Sequence, residues 1–332
     1  MAKYNRQRRP QSTQATSSAS TRAQSATGST TTSASSSRLN DIRSRTAASR
    51  PPVNRYRYAR QPWWRRNLIA LASGAAVVLV IIGFIFYAQA QNKAAAVGIG
   101  DAAPHSIMSQ LSGVSAKTAS TVGTGGLQDT FEPTPPNVPP LTSKGLPEIV
   151  YVGAEYCPYC AADRWSTIIA LDRFGSFNGV TLMKSSSSDV FPNTSTFSFR
   201  NATYTSKYIV FNATETQDRN NGALGTPSTE AMAALATYDA PPYTNQSGGI
   251  PFMSYANQWV TTVSPYDPTV LKDLSWQQIA AQLNNPNSAA TKSIIGTANY
   301  QTAAICKLTN NQPASVCSEP YIKSIEAALP SR

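Results

Sequence analysis

Two cysteines at Cys-x-x-Cys spacing are the residues of this 332-residue chain with the clearest chemical potential. Cys157 and Cys160 enclose Pro158 and Tyr159. The apolar, β-branched residues 148–153 precede them and predict a short buried strand, and apolar residues at helical spacing follow them. Pro158 suits the first turn of a helix, because its φ is already helical and no N–H is needed there. The pair is therefore predicted where a strand passes into a helix.

This placement predicts thiol–disulfide exchange. The thiolate is the form that attacks a disulfide, and the free N–H groups and partial positive charge of a helix N-terminus favour an anion. Cys157, at that end, is predicted to be the attacking sulfur, and Cys160, one turn later on the same face, the resolving sulfur. Glu155 is expected to oppose thiolate formation at Cys157, and Arg164 to assist it. The alternative interpretation of the pair is a static disulfide.

The charge of the chain, +11 overall, is confined to its N-terminal part. Residues 1–66 carry 14 of the 28 Lys and Arg residues and a single acidic residue, Asp41, so the remainder is close to neutral. These residues are also rich in Ser, Thr, Ala and Gln, which predicts a disordered basic cytoplasmic tail. An arm that binds anionic lipid or nucleic acid is the alternative. Because the excess of basic residues is confined to the tail, no specific nucleic acid partner is predicted.

A membrane anchor is predicted over residues 67–88. Leu68–Ala88 is free of charged residues, and about 21 residues of helix at ~1.5 Å each match a hydrocarbon core of ~30 Å. Trp63 and Trp64 before the span and Tyr87 at its end suit the two interfaces. Because the basic tail should stay in the cytoplasm, we expect a single-pass protein of the cell membrane. Its C-terminal domain is then extracytoplasmic, where disulfides persist.

Beyond the span, residues 89–146 are predicted to form a tether and a proline-rich lead-in with one or two short helices, and residues 147–332 to form the main domain. In that domain, a second strand at residues 180–184 is expected to complete a βαβ unit and to pair in parallel with the strand at 148–153. Residues 196–199 and 207–212 are expected to form a hairpin. Four further helices are predicted at residues 226–238, 274–283, 294–309 and 320–329, and a strand pair at residues 250–255 and 258–263.

The order of these elements resembles the thioredoxin-like superfamily, with Cys157-Pro158-Tyr159-Cys160 similar to the glutaredoxin-type form of its active site. Ile250-Pro251, which opens a predicted strand, resembles the cis-proline of that superfamily. The run from Gly153 to Trp165 resembles a family of membrane-anchored archaeal and bacterial proteins known as domain of unknown function 929 (DUF929). The resemblance implies an α/β, thioredoxin-like fold, with a central mixed sheet flanked by helices. This chain adds a polar insertion and a helical C-terminal extension to that fold.

The resemblance also implies roles for particular residues. Pro251 is expected to join the two cysteines of the motif as part of the catalytic set, facing the dithiol and helping to hold an incoming chain. Tyr156, Tyr159 and Ile250 are expected to line a groove that binds an extended client peptide.

Cys306 and Cys317 form a second pair beyond the span. A structural disulfide that closes a loop between helices is the favoured interpretation, and the entropy of such a loop is worth about 3 kcal/mol. A second redox pair that relays electrons to the motif and a zinc site built from all four cysteines are the alternatives. With one histidine, His105, and no phosphate-binding or dinucleotide motif, the sequence predicts neither a metal nor a cofactor.

Together these features predict a membrane-anchored, extracytoplasmic thiol–disulfide oxidoreductase. Its partners would be the thiols or disulfides of exported proteins and a redox partner that resets the dithiol. The competing prediction is a non-catalytic, membrane-tethered thioredoxin-like binding or scaffold domain, in which the disulfides are only structural. Exposure of the Cys157 sulfur to a groove would favour the first function, and its burial without one would favour the second.

Overall fold

A computed structural model of the chain describes residues 79, 82, 98–127, 131–245 and 247–332. The predicted cytoplasmic tail, residues 1–66, lies outside the described residues, and so does the predicted span except for Leu79 and Ile82. Among the residues that are described, no helix is long and apolar enough to cross a membrane.

The described chain is a mixed α/β structure in which helices flank a mixed sheet, as predicted. The strands are β1 (Glu132–Pro133), β2 (Thr142–Ser143), β3 (Leu146–Gly153), β4 (Gly175–Asn178), β5 (Thr181–Lys184), β6 (Ser195–Ser198), β7 (Thr203–Ser206), β8 (Val210–Glu215), β9 (Phe252–Tyr255) and β10 (Trp259–Thr261). The α-helices are α1 (His105–Ser112), α2 (Ala116–Val122), α3 (Pro158–Asp172), α4 (Thr229–Tyr238), α5 (Trp276–Gln282), α6 (Ala289–Leu308), α7 (Ala314–Cys317) and α8 (Pro320–Ala328).

The sheet is organised around β3. Strand β9 pairs with β3 in antiparallel fashion, β10 and then β1 extend the sheet beyond β9, and the short β2 pairs with the first residues of β3. Strand β8 runs parallel to β3, from Glu148 opposite Val210 to Gly153 opposite Glu215. The carboxyl ends of these two parallel strands therefore meet at one edge, which is where α3 begins.

Successive side chains of β3 point to opposite faces of the sheet, and both faces are buried. Ile149 and Tyr151 point into the larger core, which is built with α3, α6 and the helices at both ends of the described chain. Val150 and Val152 point to the opposite face, into a smaller core under α4. A strand covered on both faces is expected to be apolar throughout, and residues 149–152 are.

The predicted parallel pairing within a βαβ unit is wrong. The strand at residues 180–184 does exist as β5, but it pairs in antiparallel fashion with β6 in a separate two-stranded sheet and does not neighbour β3. The parallel partner of β3 is β8, whose residues are mostly only half-buried. Because β8 also contains Asn212, Thr214 and Glu215, it lacks the continuous apolar signal of a strand covered on both faces.

The predicted hairpin of residues 196–199 with 207–212 is also wrong, since β6 pairs with β5, β7 pairs with β4, and β8 joins the main sheet. The antiparallel strand pair of residues 250–255 and 258–263 is confirmed as β9 and β10. Helices occur at all four predicted places, as α4, α5, α6 and α8, with ends shifted by a few residues.

The lead-in is packed against the sheet. Helices α1 and α2 bury Ile107, Leu111 and Ala119 in the larger core, and Ser115 caps α2 by accepting a hydrogen bond from Thr118 N. Strands β1 and β2 extend the sheet itself. The lead-in therefore contributes two strands and two helices to the same folded body as the residues that follow it.

Candidate active site

The Cys-x-x-Cys motif lies where the sequence predicts it, between β3 and α3. Cys157 is the N-cap residue of α3, with extended backbone angles, and its Sγ accepts a hydrogen bond from Cys160 N at 3.2 Å. Pro158 occupies the first turn. Both cysteines are free thiols. The Cys157 sulfur therefore accepts a hydrogen bond from an N–H group that has no partner within the helix. This hydrogen bond favours the thiolate.

Ile250 lies directly beside Cys157, and Pro251 follows it in the chain. The Sγ of Cys157 is 3.6 Å from the carbonyl oxygen of Ile250, to which the thiol can donate. The Ile250–Pro251 peptide bond is cis, and β9 starts at the next residue, Phe252. The two segments that the resemblance brings together, 93 residues apart in the chain, thus meet at one sulfur.

The two thiols differ in acidity. Hydrogen bonding from Cys160, main-chain N–H groups and the charge of Arg164 together lower the pKa of Cys157, against the opposing effect of burial. Burial and the neighbouring Cys157 sulfur raise the pKa of Cys160 well above that of an ordinary thiol. The more acidic and less buried thiol is the better nucleophile near neutral pH, which assigns attack to Cys157.

A buried ion pair lies behind the motif. Arg164 donates to Glu215 through Nε at 2.9 Å and through Nη2 at 2.5 Å, and both side chains are fully buried. Nη2 also donates to the carbonyl oxygen of Ala154 at 2.7 Å. Arg164 therefore ties α3 to the carboxyl ends of β3 and β8 and places a fixed positive charge near the sulfurs, with the assisting effect on Cys157 that the sequence predicts.

The residues just before Cys157 are held from both sides by main-chain hydrogen bonds. Glu155 N donates to Gln217 O at 2.9 Å, and Ser186 N donates to Tyr156 O at 2.8 Å. The Glu155 carboxylate accepts from Ser198 Oγ at 2.6 Å. Two loops that are distant from the motif in sequence, one after β5 and one after β8, therefore fix its position.

The polar insertion contributes to the surface around the motif. Tyr159 is 39% exposed, and its ring meets that of Phe191 edge-on, with 5.7 Å between centroids. Tyr156 is half-buried, which raises the pKa of its hydroxyl. Val190, beside Phe191, is 71% exposed. Sequence reasoning missed Phe191 and Val190, because no local pattern indicates that residues 185–194 fold back over the helix start.

A cavity of about 440 Å³ opens beside Ile250, between α4 and the glycine-containing segment before Pro251. Its wall is mainly apolar and includes Val152, Leu235, Ala236 and Gly249. Cys157 is not part of this wall and is itself only 4% exposed. Ile250 is the residue that the cavity and the dithiol share.

Cys306 and Cys317 form a disulfide that joins α6 to α7, with 5.5 Å between their Cα atoms. Both are fully buried in the larger core. Because these two sulfurs are bonded to each other, they are not ligands for a metal shared with the motif. Within the described residues, no group of three or more His, Cys, Asp or Glu side chains is placed to hold a metal ion.

The chain was compared with protein families, curated proteins and solved structures. No curated protein and no solved structure matches the chain. Residues 137–229 are similar to the family described as Domain of unknown function (DUF929), a stretch that contains Cys157 and Cys160 but ends before Pro251.

Proposed function

We propose that this protein is a thiol–disulfide oxidoreductase with a thioredoxin-like arrangement of its reactive groups. The observation that carries the proposal is the Cys157 sulfur. It caps a helix, accepts the N–H of Cys160 and lies 3.6 Å from the carbonyl of the residue before a cis-proline. A structural disulfide has no need of a free, acidified thiol at a helix N-terminus.

The reaction is a two-electron exchange with a protein disulfide. The Cys157 thiolate attacks one client sulfur, so that a mixed disulfide forms and the other client sulfur leaves as a thiolate that takes up a proton. Cys160 then loses its proton and attacks Cys157 Sγ, which releases the second client thiolate and leaves a Cys157–Cys160 disulfide. In the opposite direction, the same steps oxidise a client dithiol, and a redox partner restores the starting form.

The proposed clients are exported proteins, since the uncharged run Leu68–Ala88 follows a basic tail and would hold the described domain outside the cytoplasm. Tyr156 and Tyr159 are the chain neighbours of the two cysteines, and the carbonyl oxygen of Ile250 lies 3.6 Å from the Cys157 sulfur. An extended client segment that passes between them would meet main-chain groups as well as rings, which suits a peptide rather than a small molecule.

Trapping of the mixed disulfide tests this proposal. The full-length Cys160→Ser chain retains the attacking thiol but cannot resolve, so we expect covalent adducts with exported proteins, seen on non-reducing gels and lost on reduction. The matched control is the Cys157→Ser/Cys160→Ser double variant, which should give no adducts. A Cys160→Ser chain as free of adducts as the control would contradict the proposal.

A tethered, non-catalytic binding domain is the second candidate, and the burial of Cys157 is the observation that favours it. A residue that is 4% exposed and lies outside the nearby cavity gives a client disulfide little access. The two functions differ in the reactivity of the sulfur. Alkylation of Cys157 in the folded protein at the rate of a free thiol or faster supports exchange, and alkylation only after unfolding supports the binding domain.

A further inference from the structure

Two buried hydrogen-bond donors, one on β3 and one on α3, have no acceptor. Among the described residues, Tyr151 Oη and Arg164 Nη1 are both buried and lack any hydrogen-bond partner. Tyr151 and Arg164 are fully buried. Native proteins satisfy nearly all of their buried polar groups, so each exception calls for a physical reason, and a catalytic role is one such reason.

The two donors belong to one cluster with Cys160. The Tyr151 side chain folds over the end of β3, where a methyl group added at Gly153 would lie 2.2 Å from Oη. The guanidinium carbon of Arg164 is 5.9 Å from the centre of the Tyr151 ring. Arg164 follows Cys160 by four residues and so lies on the same face of α3. Both side chains interact electrostatically with Cys160.

The carboxyl groups near this cluster already have hydrogen-bond partners. Glu215 already occupies Nε and Nη2 of Arg164. Asp163, the other carboxyl group that acts on Tyr151, makes its contacts with Thr167 and Gln301. Around Cys160, the groups that affect its ionisation most are Cys157, Arg164 and the main chain of Ala154.

We propose that Tyr151 and Arg164 are positioning residues for the resolving step, with donors held ready for the thiolate that Cys160 must become. This inference rests on the proposed function. In that step Cys160 gives its proton to water, its sulfur forms the bond to Cys157, and the client sulfur leaves with the electron pair of the broken bond. In the reduced, protonated protein the donors have nothing to bind, because the acceptor forms only during turnover.

Burial makes such help necessary. An anion in a fully buried position is costly unless charges or donors compensate it, and burial raises the pKa of Cys160. Burial also raises the pKa of Tyr151, so its hydroxyl remains a donor at any pH at which the protein works. Hydrogen bonds to charged groups are stronger than those to neutral ones, so the donors gain most when the thiolate forms.

Tyr151→Phe in the full-length chain is the sharpest test, because it removes a hydroxyl that has no structural partner. We expect the free energy of unfolding to be unchanged or higher, and the alkylation rate of Cys157 to be unchanged. We also expect release of a mixed disulfide with a cysteine peptide to be slower by roughly tenfold or more. Resolution at the wild-type rate, or an equal loss in both steps, would overturn the proposal.

The matched control is Tyr204→Phe. The Tyr204 hydroxyl donates to Leu171 O at 2.8 Å, so this variant should lose stability but resolve the mixed disulfide at the wild-type rate. An equal slowing in both variants would mean that the loss of any buried hydroxyl affects resolution, and it would count against the proposal. Arg164 is a poorer target, because its removal leaves the buried Glu215 charge without a partner.

A second measurement separates this inference from the proposed function. In full-length Cys157→Ser protein, the ¹³Cβ resonance of Cys160 reports its ionisation without any client. We expect Tyr151→Phe to raise the pKa of Cys160 further in this background. An unchanged pKa would overturn the inference even if the wild type exchanges. A raised pKa in a protein whose wild type fails to exchange would show that Tyr151 stabilises the Cys160 thiolate, while the proposed function, and with it the resolving step, would be refuted.

Discussion

At the scale of single residues, the site depends on an asymmetry between two chemically identical side chains. Cys157 lies at a helix N-cap, where hydrogen bonding from Cys160, main-chain N–H groups and Arg164 lower the pKa of its thiol. Cys160 lies one turn into the same helix, fully buried, where its pKa is raised. Cys157 and Cys160 are only three residues apart in the chain. Their different positions at the start of α3 make one the nucleophile and the other the resolving thiol.

The pH dependence of alkylation checks this asymmetry. Because a lowered pKa keeps a thiolate present at lower pH, Cys157 should react with iodoacetamide at a rate that is already substantial below the pH at which an ordinary thiol ionises. Cys160 should stay unmodified over the same range. Site-specific mass spectrometry of the full-length protein distinguishes the two. A Cys157 rate that rises only around the pKa of a free cysteine would contradict the assignment.

Asp163, three residues after Cys160, gives a stability prediction. Burial raises the pKa of its carboxyl group to about 7. Between the ordinary Asp pKa and about 7, the folded state therefore holds a proton that the unfolded state has lost, so this group makes stability fall as pH rises. Asp163→Asn should raise the free energy of unfolding at pH 8 by roughly 1–3 kcal/mol and change it little at pH 4.

Denaturant unfolding at the two pH values measures this difference. Asp273→Asn, at an exposed position, is the control for the substitution itself. A loss of stability at pH 8 in Asp163→Asn would mean that the ionised carboxylate is satisfied in the fold by contacts stronger than its 3.4 Å bonds to Thr167 and Gln301.

At the scale of elements, local signals predicted β3, α3 and β9 well. The apolar run before Cys157, the proline after it and the Ile-Pro pair each specify their own element through a few neighbouring residues. The partner of β3 could not be predicted in the same way. Strand β8 pairs with β3 through contacts more than 50 residues apart, and its half-polar sequence contains no signal of its neighbour.

The insertion is the element that sequence reasoning placed least well, and Arg219 explains how it is held. Arg219 Nε donates to Ser185 O at 2.9 Å and to Lys184 O at 3.1 Å, and its guanidinium also contacts the Asn193 side chain. A residue from the loop after β8 thus fixes both ends of the segment 185–193, which in turn contacts Tyr156 and Tyr159. Such a three-way contact depends on the finished fold.

Loss of this clamp should loosen the insertion locally. In Arg219→Met we expect amide hydrogen exchange across residues 185–194 to be faster by roughly tenfold, because hydrogen bonds from a charged donor are lost while the core is untouched. Exchange in α6 should be unchanged. Arg200→Met, at an exposed position on the turn after β6, is the control. Unchanged exchange in the insertion would show that Phe191 and the main-chain bonds hold it without Arg219.

At the scale of the whole molecule, the reactive dithiol and the disulfide belong to different parts of the structure. The dithiol lies at the carboxyl edge of the sheet, whereas the Cys306–Cys317 bond fastens α6 to α7 within the C-terminal helices. The sequence indicated two cysteine pairs, but only the fold shows that one is free and the other is bonded and fully buried.

Removal of the disulfide should therefore affect stability and not chemistry. In Cys306→Ala/Cys317→Ala we expect the free energy of unfolding to fall by about 3 kcal/mol, from the loss of a closed loop and without a large change in packing. The alkylation rate of Cys157 should equal that of the wild type. A clear change in that rate would instead support a relay between the two pairs.

The redox equilibrium of the four cysteines tests the central claim most directly. Full-length protein is equilibrated in glutathione buffers of graded potential, and each cysteine is then scored by mass tagging. We predict that Cys157 and Cys160 change together from dithiol to disulfide as one two-electron couple, while Cys306 and Cys317 stay bonded at every potential. Cysteines at 157 and 160 that remain in one state across the whole series would contradict an exchange function.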